Sequence, residues 1–131
     1  MYLLDTDTVI YCLKGDQTVL QNLALHIQDP LRICSITLME LYYGAHKSKK
    51  KTSNLAKVRQ IESAFDVVPV DRSMSETFGE LKSALENRGV PLDDFDLVIA
   101  SCALVHNITL VTNNIRHFQR VDGLKLDNWA K

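Results

Sequence analysis

Short apolar runs that stop abruptly at an acid or an amide limit what this chain can fold into. Tyr2-Leu3-Leu4 ends at Asp5, residues 108–111 (ITLV) lead into Thr112-Asn113-Asn114, and residues 31–36 (LRICSI) lead into Thr37-Leu38-Met39-Glu40. Continuous apolar runs read as strands buried on both faces, and the alternating LRICSI reads as a further strand. Residues 66–70 (DVVPV) form a short strand whose Pro69 marks an edge or a strand end, and residues 124–126 form a last one. Between the strands the apolar spacing is helical. The expected helices are residues 6–14, stopped by Gly15; 18–28, with Pro30 just beyond; 37–45; 53–64; 73–87, stopped by Gly89; and 95–106. Residues 95–106 (FDLVIASCALVH) are apolar almost all round, so that helix is buried. Strands alternating with helices predict a three-layer α/β/α fold around a central, mostly parallel sheet of four to five strands. In such sheets the site lies beyond the carboxyl ends of the strands.

The 131 residues suit a single domain, 1–131. With 46% hydrophobic and 24% charged residues, the chain can bury a core without disulfides, which excludes a disordered or collagen-like polymer. Cys12, Cys34 and Cys102 are odd in number and lack a C-x-x-C pair, so free thiols in a reducing compartment are expected rather than a zinc cluster. No apolar stretch reaches the roughly 18 residues of a membrane span. The opening MYLLD turns acidic too early for a signal peptide. A soluble, cytoplasmic protein is expected.

The net charge of −1 hides an uneven distribution. Residues 41–61 hold six basic side chains and no acid, whereas residues 62–96 hold nine acids against three basic side chains. A basic flank beside an acidic pocket follows.

Four segments bring carboxylates or amides to the loops and first helical turns after the strands: Asp5-Thr6-Asp7, Thr37 to Glu40, Asp93-Asp94-Phe95-Asp96, and Thr112 to Asn114. Each has a purely structural explanation. Asp5 can cap a helix, Thr37-x-x-Glu40 has the form of a capping box, Asp96 can complement a helix dipole, and Asn114 can sit in a turn. Taken singly these explanations are the commoner ones. Together they are not sufficient, because carboxylates 4 Å apart repel by roughly 1 kcal/mol in water and about 4 kcal/mol at an intermediate dielectric. A hard divalent cation accounts for the gathering: Mg²⁺ takes one or two carboxylates and keeps waters that leave room for a phosphate. Such a site can position water and neutralise charge on a phosphodiester as it is cleaved.

At these residues the chain resembles a PIN-domain ribonuclease, specifically the VapC toxins of VapBC toxin–antitoxin modules. The resemblance runs through YLLDTDTVI, SITLMELYYGAHKS, LDDFDLVIASCALVHNITLVTNN and RHFQRVDGLKLDNW, nearly the whole chain in family order. It implies that Asp5, Glu40 and Asp96 are the catalytic acids, with Asp5 and Asp96 ligating Mg²⁺ (or Mn²⁺ in its place). Glu40 would help ligate the ion or orient the attacking water. Asp7 and Asp94 would support from beside the ligands, and Thr112 and Asn114 would complete the polar surround. Many PIN domains carry a fourth acid in a T-x-D-like pattern where this chain has Thr112-Asn113-Asn114. Without that charge, one firmly bound ion is expected rather than two. The resemblance further implies an RNA substrate, left open among tRNA, ribosomal RNA and messenger RNA with a structured tRNA loop as one candidate, a homodimer, and a small VapB-like antitoxin. The antitoxin would contact an apolar strip near Leu20, Leu23, Tyr42 and Tyr43.

The basic run begins seven residues after Glu40, about 10 Å along a helix at 1.5 Å per residue. Lys47, Lys49, Lys50 and Lys51, with Arg116, are therefore candidate RNA-phosphate contacts. None of the four histidines has the setting of a catalytic group; His106 belongs in the last turn of its helix and His26 in the polar part of the second. Two rival readings use the same acids. A haloacid-dehalogenase-type phosphatase would employ Asp5 and Asp7, but it needs an acidic pair after a strand where Asp93-Asp94 opens a helix, and the chain is short for that fold; a non-enzymatic receiver-like domain would employ Asp71, but it needs a late lysine that the Thr112 segment does not supply.

Overall fold

Consecutive side chains along a strand point to opposite faces, and in this protein both faces are apolar. A computed structural model describes residues 1–131. Leu3 belongs to one buried cluster and Leu4 to the other, and the same division separates Cys34 from Ile33 and Leu110 from Val111. The strands are β1 (Tyr2–Leu4), β2 (Leu31–Cys34), β3 (Asp66–Val68), β4 (Thr109–Val111) and β5 (Leu126–Asp127). They form one sheet in the order β3-β2-β1-β4-β5, with every neighbouring pair parallel. Helices α1 (Thr6–Leu13), α2 (Gln17–Leu25), α3 (Ser35–Lys47) and α4 (Lys51–Ala64) pack with the Leu4 cluster. Helices α5 (Arg72–Asn87), α6 (Asp94–His106) and α7 (Ile115–Phe118) pack with the Leu3 cluster. The three layers expected from the alternation of elements are present, and the sheet has five strands.

The strand order fixes where a site can form. The chain lays down β1, β2 and β3 outward in one direction, then returns to add β4 on the other side of β1. The reversal point lies between β1 and β4, where crevices open in parallel sheets. It is stitched by the Asp5 N–H to the Val111 carbonyl at 3.0 Å and by the Thr8 hydroxyl to the same carbonyl at 3.2 Å. A receiver-like domain has the order 2-1-3-4-5, which this sheet does not share. Asp71, the residue that reading requires, instead caps α5 by accepting from the Met74 N–H at 2.9 Å.

Several boundaries differ from those the sequence suggests. β2 stops at Cys34 and Ser35 already belongs to α3. Ile36 is buried in the same cluster as Cys34, so a first helical turn preserves the alternation that resembles strand. α2 ends at Leu25 although the apolar spacing continues to Ile27. His26 leaves the helix and stacks on Trp129 at 4.7 Å between ring centroids, and Ile27 is 61% exposed. α7 is a single turn the sequence does not announce, formed around the fully buried Phe118. β5 is shifted to Leu126–Asp127, and Trp129 just beyond it anchors the end of the chain. The Trp129 indole N–H donates to Asp127 at 3.1 Å, and its carbonyl accepts from Asn22 at 3.0 Å. β3 is an edge strand, in keeping with Pro69 immediately after it. Gly15 follows α1 with φ +79°, a left-handed conformation that a side chain would disfavour. The cysteines are free thiols, with Cys34 and Cys102 buried.

Candidate active site

Asp5 leaves the end of β1 and caps α1, accepting from the Thr8 N–H at 2.8 Å through Oδ1. Capping therefore accounts for one of its oxygens. The side chain is 4% exposed. Burial pushes its carboxyl above the usual range, against hydrogen bonds from Thr112 and Thr8 that pull it down and the Asp7 charge that adds to the rise.

Glu40 stands in the second turn of α3, because the helix begins at Ser35. The capping-box reading of Thr37-x-x-Glu40 is thereby corrected: the cap position is Cys34, which makes no side-chain capping bond. Glu40 Oε1 accepts from the Thr6 hydroxyl at 2.6 Å, and Thr6 Oγ1 lies 3.1 Å from Thr37 Oγ1.

Asp96 lies in the first turn of α6 and is half-buried. Its carboxyl is pushed up to about 6, first by burial and then by the charges of Asp93, Asp5, Glu40 and Asp7. The distant segments that carry acids are thus close enough to feel one another. Asp7 accepts from the Asn114 amide at 3.2 Å, and Asn114 N–H donates to the buried Thr112 hydroxyl at 2.9 Å. Asp94 does not join the group. It turns to Lys82 on α5 at 2.9 Å, a correction to the supporting role the sequence suggests for it. Within its own segment the acid that Asp96 feels is Asp93, one turn back; it occupies the α6 cap position without making a capping bond.

The chain's ion pairs are Arg72–Glu76, Lys82–Asp94 and Arg88–Asp122. None of them neutralises Asp5, Asp7, Glu40, Asp93 or Asp96. As the side chains stand, no three His, Cys, Asp or Glu groups are drawn together closely enough to hold a metal ion. The acids share a field rather than a finished ligand cage.

Glu40 also lines a groove of about 330 Å³, together with Ile10 and Leu13 of α1, Lys14 just after it, and Lys57 and Val58 of α4. Lys47 closes α3, Lys49 and Lys50 lie in the turn that follows, and Lys51 opens α4, all exposed. Arg116 is exposed on α7, two residues after Asn114. The apolar strip expected near Tyr42 is not continuous. Leu23 and Tyr42 pack against the core, the Tyr42 hydroxyl donates to Glu62 at 2.6 Å, and Tyr43 alone of the four is largely exposed, at 67%.

Residues 2–124 match the PIN domain family. The chain is 39% identical to Ribonuclease VapC2 of Rickettsia felis, an alignment covering 100% of this chain and 99% of the relative. The chain belongs to the VapC ribonuclease family of PIN-domain proteins. A second VapC relative, the tRNA(fMet)-specific endonuclease of Shigella flexneri, is 35% identical over 98% of both chains. The crystal structure of Rickettsia felis VapBC2 bound to a promoter DNA fragment superposes with a TM-score of 0.92 at 38% identity, covering 98% of each chain. DNA-bound VapBC of Salmonella typhimurium gives 0.91 at 34% identity, covering 98% of this chain and 97% of that one.

In this VapC-family chain the residues to which the sequence assigns no site role are Asp93, Lys14, Thr6 and Thr37 as a bonded pair, and Lys57 as part of the groove. The available signals were local. Asp93 stands three residues before Asp96 on one helical face, and Thr6 is adjacent to Asp5. Lys14 has no such signal, because only tertiary packing brings it to the groove.

The acids set a pH dependence whose sign follows from linkage. Asp96 holds its proton more tightly in the folded chain, at about 6, than in the unfolded chain, near 3.8; Asp5 shifts in the same direction. The stability they contribute is full below the unfolded value and is lost as pH rises through the folded one. Asp96→Asn is therefore expected to raise the Tm of the metal-free protein near neutral pH and to flatten the loss of stability between about pH 4 and 6. Thermal melts across that range check this, and curves that coincide with wild type would show that the gathered charge does not burden the fold.

Proposed function

We propose that this protein is a Mg²⁺-dependent endoribonuclease, the toxic component of a type II toxin–antitoxin module, that hydrolyses RNA phosphodiester bonds in the cytoplasm. The observation that carries this reading is the set of carboxylates at the β1/β4 reversal point that no lysine or arginine neutralises. The donors are all oxygen, which suits a hard cation, and two carboxylates with retained water are enough for Mg²⁺. Asp5 and Asp96 would hold it, and Mn²⁺ would substitute. Bound there, the ion would lower the cost of deprotonating water and offset charge on the scissile phosphate. Thr112 holds Asp5 from behind, Glu40 directs water towards the phosphorus, and Asp7 with Asn114 closes the opposite side. The single charge of that last pair favours one tightly held ion. No phosphatase-type lysine stands beside Asp5 and Asp7, since Asp7 is bonded to Asn114 instead.

For the substrate, RNA and in particular tRNA is the reading we favour, supported by the tRNA-specific name of the Shigella flexneri relative. Lys47, Lys49, Lys50, Lys51 and Arg116 are exposed and outside every ion pair, so they can meet phosphates, and Lys14 and Lys57 add two cations to the groove that Glu40 lines. The partner we infer is a VapB-like antitoxin, supported by neighbours solved as VapBC. No helix is long and apolar enough to cross a membrane. A homodimer is favoured by large apolar side chains left open near the acid-bearing end of the sheet: Met39 beside Glu40, Val70 after β3, and Phe95 beside Asp96, each about half exposed.

Three outcomes are expected. Asp5→Asn keeps the helix cap yet lowers RNA cleavage in Mg²⁺ by at least roughly a hundredfold, with an unchanged circular-dichroism spectrum; cleavage at the wild-type rate would end the proposal, and sequencing RNA 5′ ends against this variant identifies the target. Replacing Lys47, Lys49, Lys50 and Lys51 together by Gln reduces the salt dependence of binding to an uncleavable RNA by about 3 in log–log slope, read by fluorescence anisotropy, whereas an unaltered slope would remove these lysines from the RNA path. Sedimentation velocity gives a dimer for the wild type and a monomer for Phe95→Asp; a dimer that survives that charge would place the interface elsewhere.

A further inference from the structure

Glu40 is held differently from the other acids. Asp5 is fixed by capping α1 and Asp96 by its place in the buried helix α6, whereas Glu40 projects from the second turn of α3 on a flexible side chain with no cation to steady it. A hydroxyl steadies it instead. Thr6 Oγ1 lies 2.6 Å from Glu40 Oε1, within the range of a charge-assisted bond. Because Thr6 directly follows Asp5, this bond ties the acid on α3 to the turn that carries the acid after β1.

The direction of the hydrogen bonds follows from counting protons. A hydroxyl donates one proton and can accept two, while an ionised carboxylate only accepts. The Thr6 proton therefore goes to Glu40, and the 3.1 Å contact between Thr6 and Thr37 must use the Thr37 proton. Thr37 is fully buried and Thr6 is its side-chain partner, so the chain runs from Thr37 to Thr6 to Glu40. A buried donor at the far end keeps Thr6 from turning its proton away.

We propose that Thr6, backed by Thr37, is a positioning residue for the reaction: it commits Oε1 of Glu40 and leaves Oε2 as the one oxygen free to orient the attacking water. This rests on the nuclease reading and adds to it, because it separates the two roles open to Glu40. With one oxygen bonded to Thr6, Glu40 acts as a water-directing group rather than a two-oxygen ligand. Misplacing a catalytic group by about 1 Å can cost roughly a hundredfold in rate, and this bond is what sets the Glu40 carboxylate against the Asp5 turn.

The experiment measures RNA cleavage and Mg²⁺ binding on the same set of variants. Thr6→Val keeps the shape and loses the proton; its kcat is expected to fall roughly 10- to 100-fold with KM within about twofold. Thr6→Ser restores the hydroxyl and returns kcat to within about threefold of wild type. Thr37→Val gives a smaller loss, and the Thr6/Thr37 double variant is no slower than Thr6→Val alone. In a Glu40→Ala background, Thr6→Val costs nothing further, as expected when two residues act as one unit. The rise in Tm that Mg²⁺ alone produces persists in Thr6→Val. Wild-type protein that fails to cleave any RNA in Mg²⁺ would remove the nuclease reading itself. With wild type active, the positioning role is overturned by full-rate Thr6→Val, by losses that multiply with Glu40→Ala, or by loss of the Mg²⁺-induced Tm rise. If Thr6→Val does not fold, Thr37→Val decides, and an unchanged kcat there overturns the proposal.

Discussion

The charge of Asp5 is felt by Asp96 although ninety positions of chain lie between them, together with the charges of Asp93, Glu40 and Asp7. For one pair at close range the repulsion is roughly 1 kcal/mol in water and about 4 kcal/mol near a protein surface. Nothing basic offsets it. The fold accepts the cost because the elements that deliver the acids are also the ones the core cannot do without. Leu3, Leu4, Leu110 and Val111, on the two central strands, are all fully buried, and α6 buries most of the side chains that follow Asp96. Each fully buried Leu or Val contributes about 1.5–3 kcal/mol. The packing under the site is therefore larger than the strain at it, and the parallel order of β1 and β4 gives the acids no other place to go.

Strand order does the rest of the positioning. Asp5 follows β1 and Thr112 follows β4, neighbours on either side of the reversal point. Thr112 can therefore bond Asp5 from across the crevice, while Thr8 bonds it from within α1. Glu40 enters from α3 and Asp96 from α6, helices on opposite faces of the sheet. A group of acids assembled from both outer layers does not depend on any one loop. This geometry suits a site that must keep its shape while a long polymer enters and leaves.

Much of this was legible in the chain because the signals were local or periodic. Asp5 ends an apolar run, and continuous apolar patterning made both faces of the sheet evident. The resemblance to VapC toxins then added the grouping of Asp5, Glu40 and Asp96. What the sequence misplaced were features decided by competition between local rules. Thr37-x-x-Glu40 has the form of a capping box, but the helix starts at Ser35 because a helical turn buries Ile36 as well as a strand would. Asp93, Asp94 and Asp96 look equivalent in a row of acids, yet Lys82 on α5 draws Asp94 away and leaves Asp93 beside Asp96. α2 stops before its apolar spacing does, because His26 finds the Trp129 ring, which is more than one hundred positions away. In each case the deciding partner lies on another element, where no pattern of spacing can reveal it.

The electrostatic layout gives the neutral average of the chain a functional meaning. If the acids were simply tolerated, the nearby lysines would be the natural means of neutralising them, since the basic run begins only seven residues beyond Glu40. Instead those lysines stay exposed and unpaired, and the bond to Glu40 comes from an uncharged hydroxyl. Asn114 takes the same part opposite, bonding Asp7 without cancelling its charge. Hydroxyls and amides orient a carboxylate and leave its charge available, whereas a lysine would quench it. On the nuclease reading proposed above, a site whose neighbours orient but do not neutralise takes its positive charge from outside the chain. The separate band of free lysines leaves a second requirement, for negative charge, also unmet by the protein. On that reading a divalent cation and a polyanion would meet both together, and a phosphodiester backbone crossing from the lysines to the acids would bring each to its place.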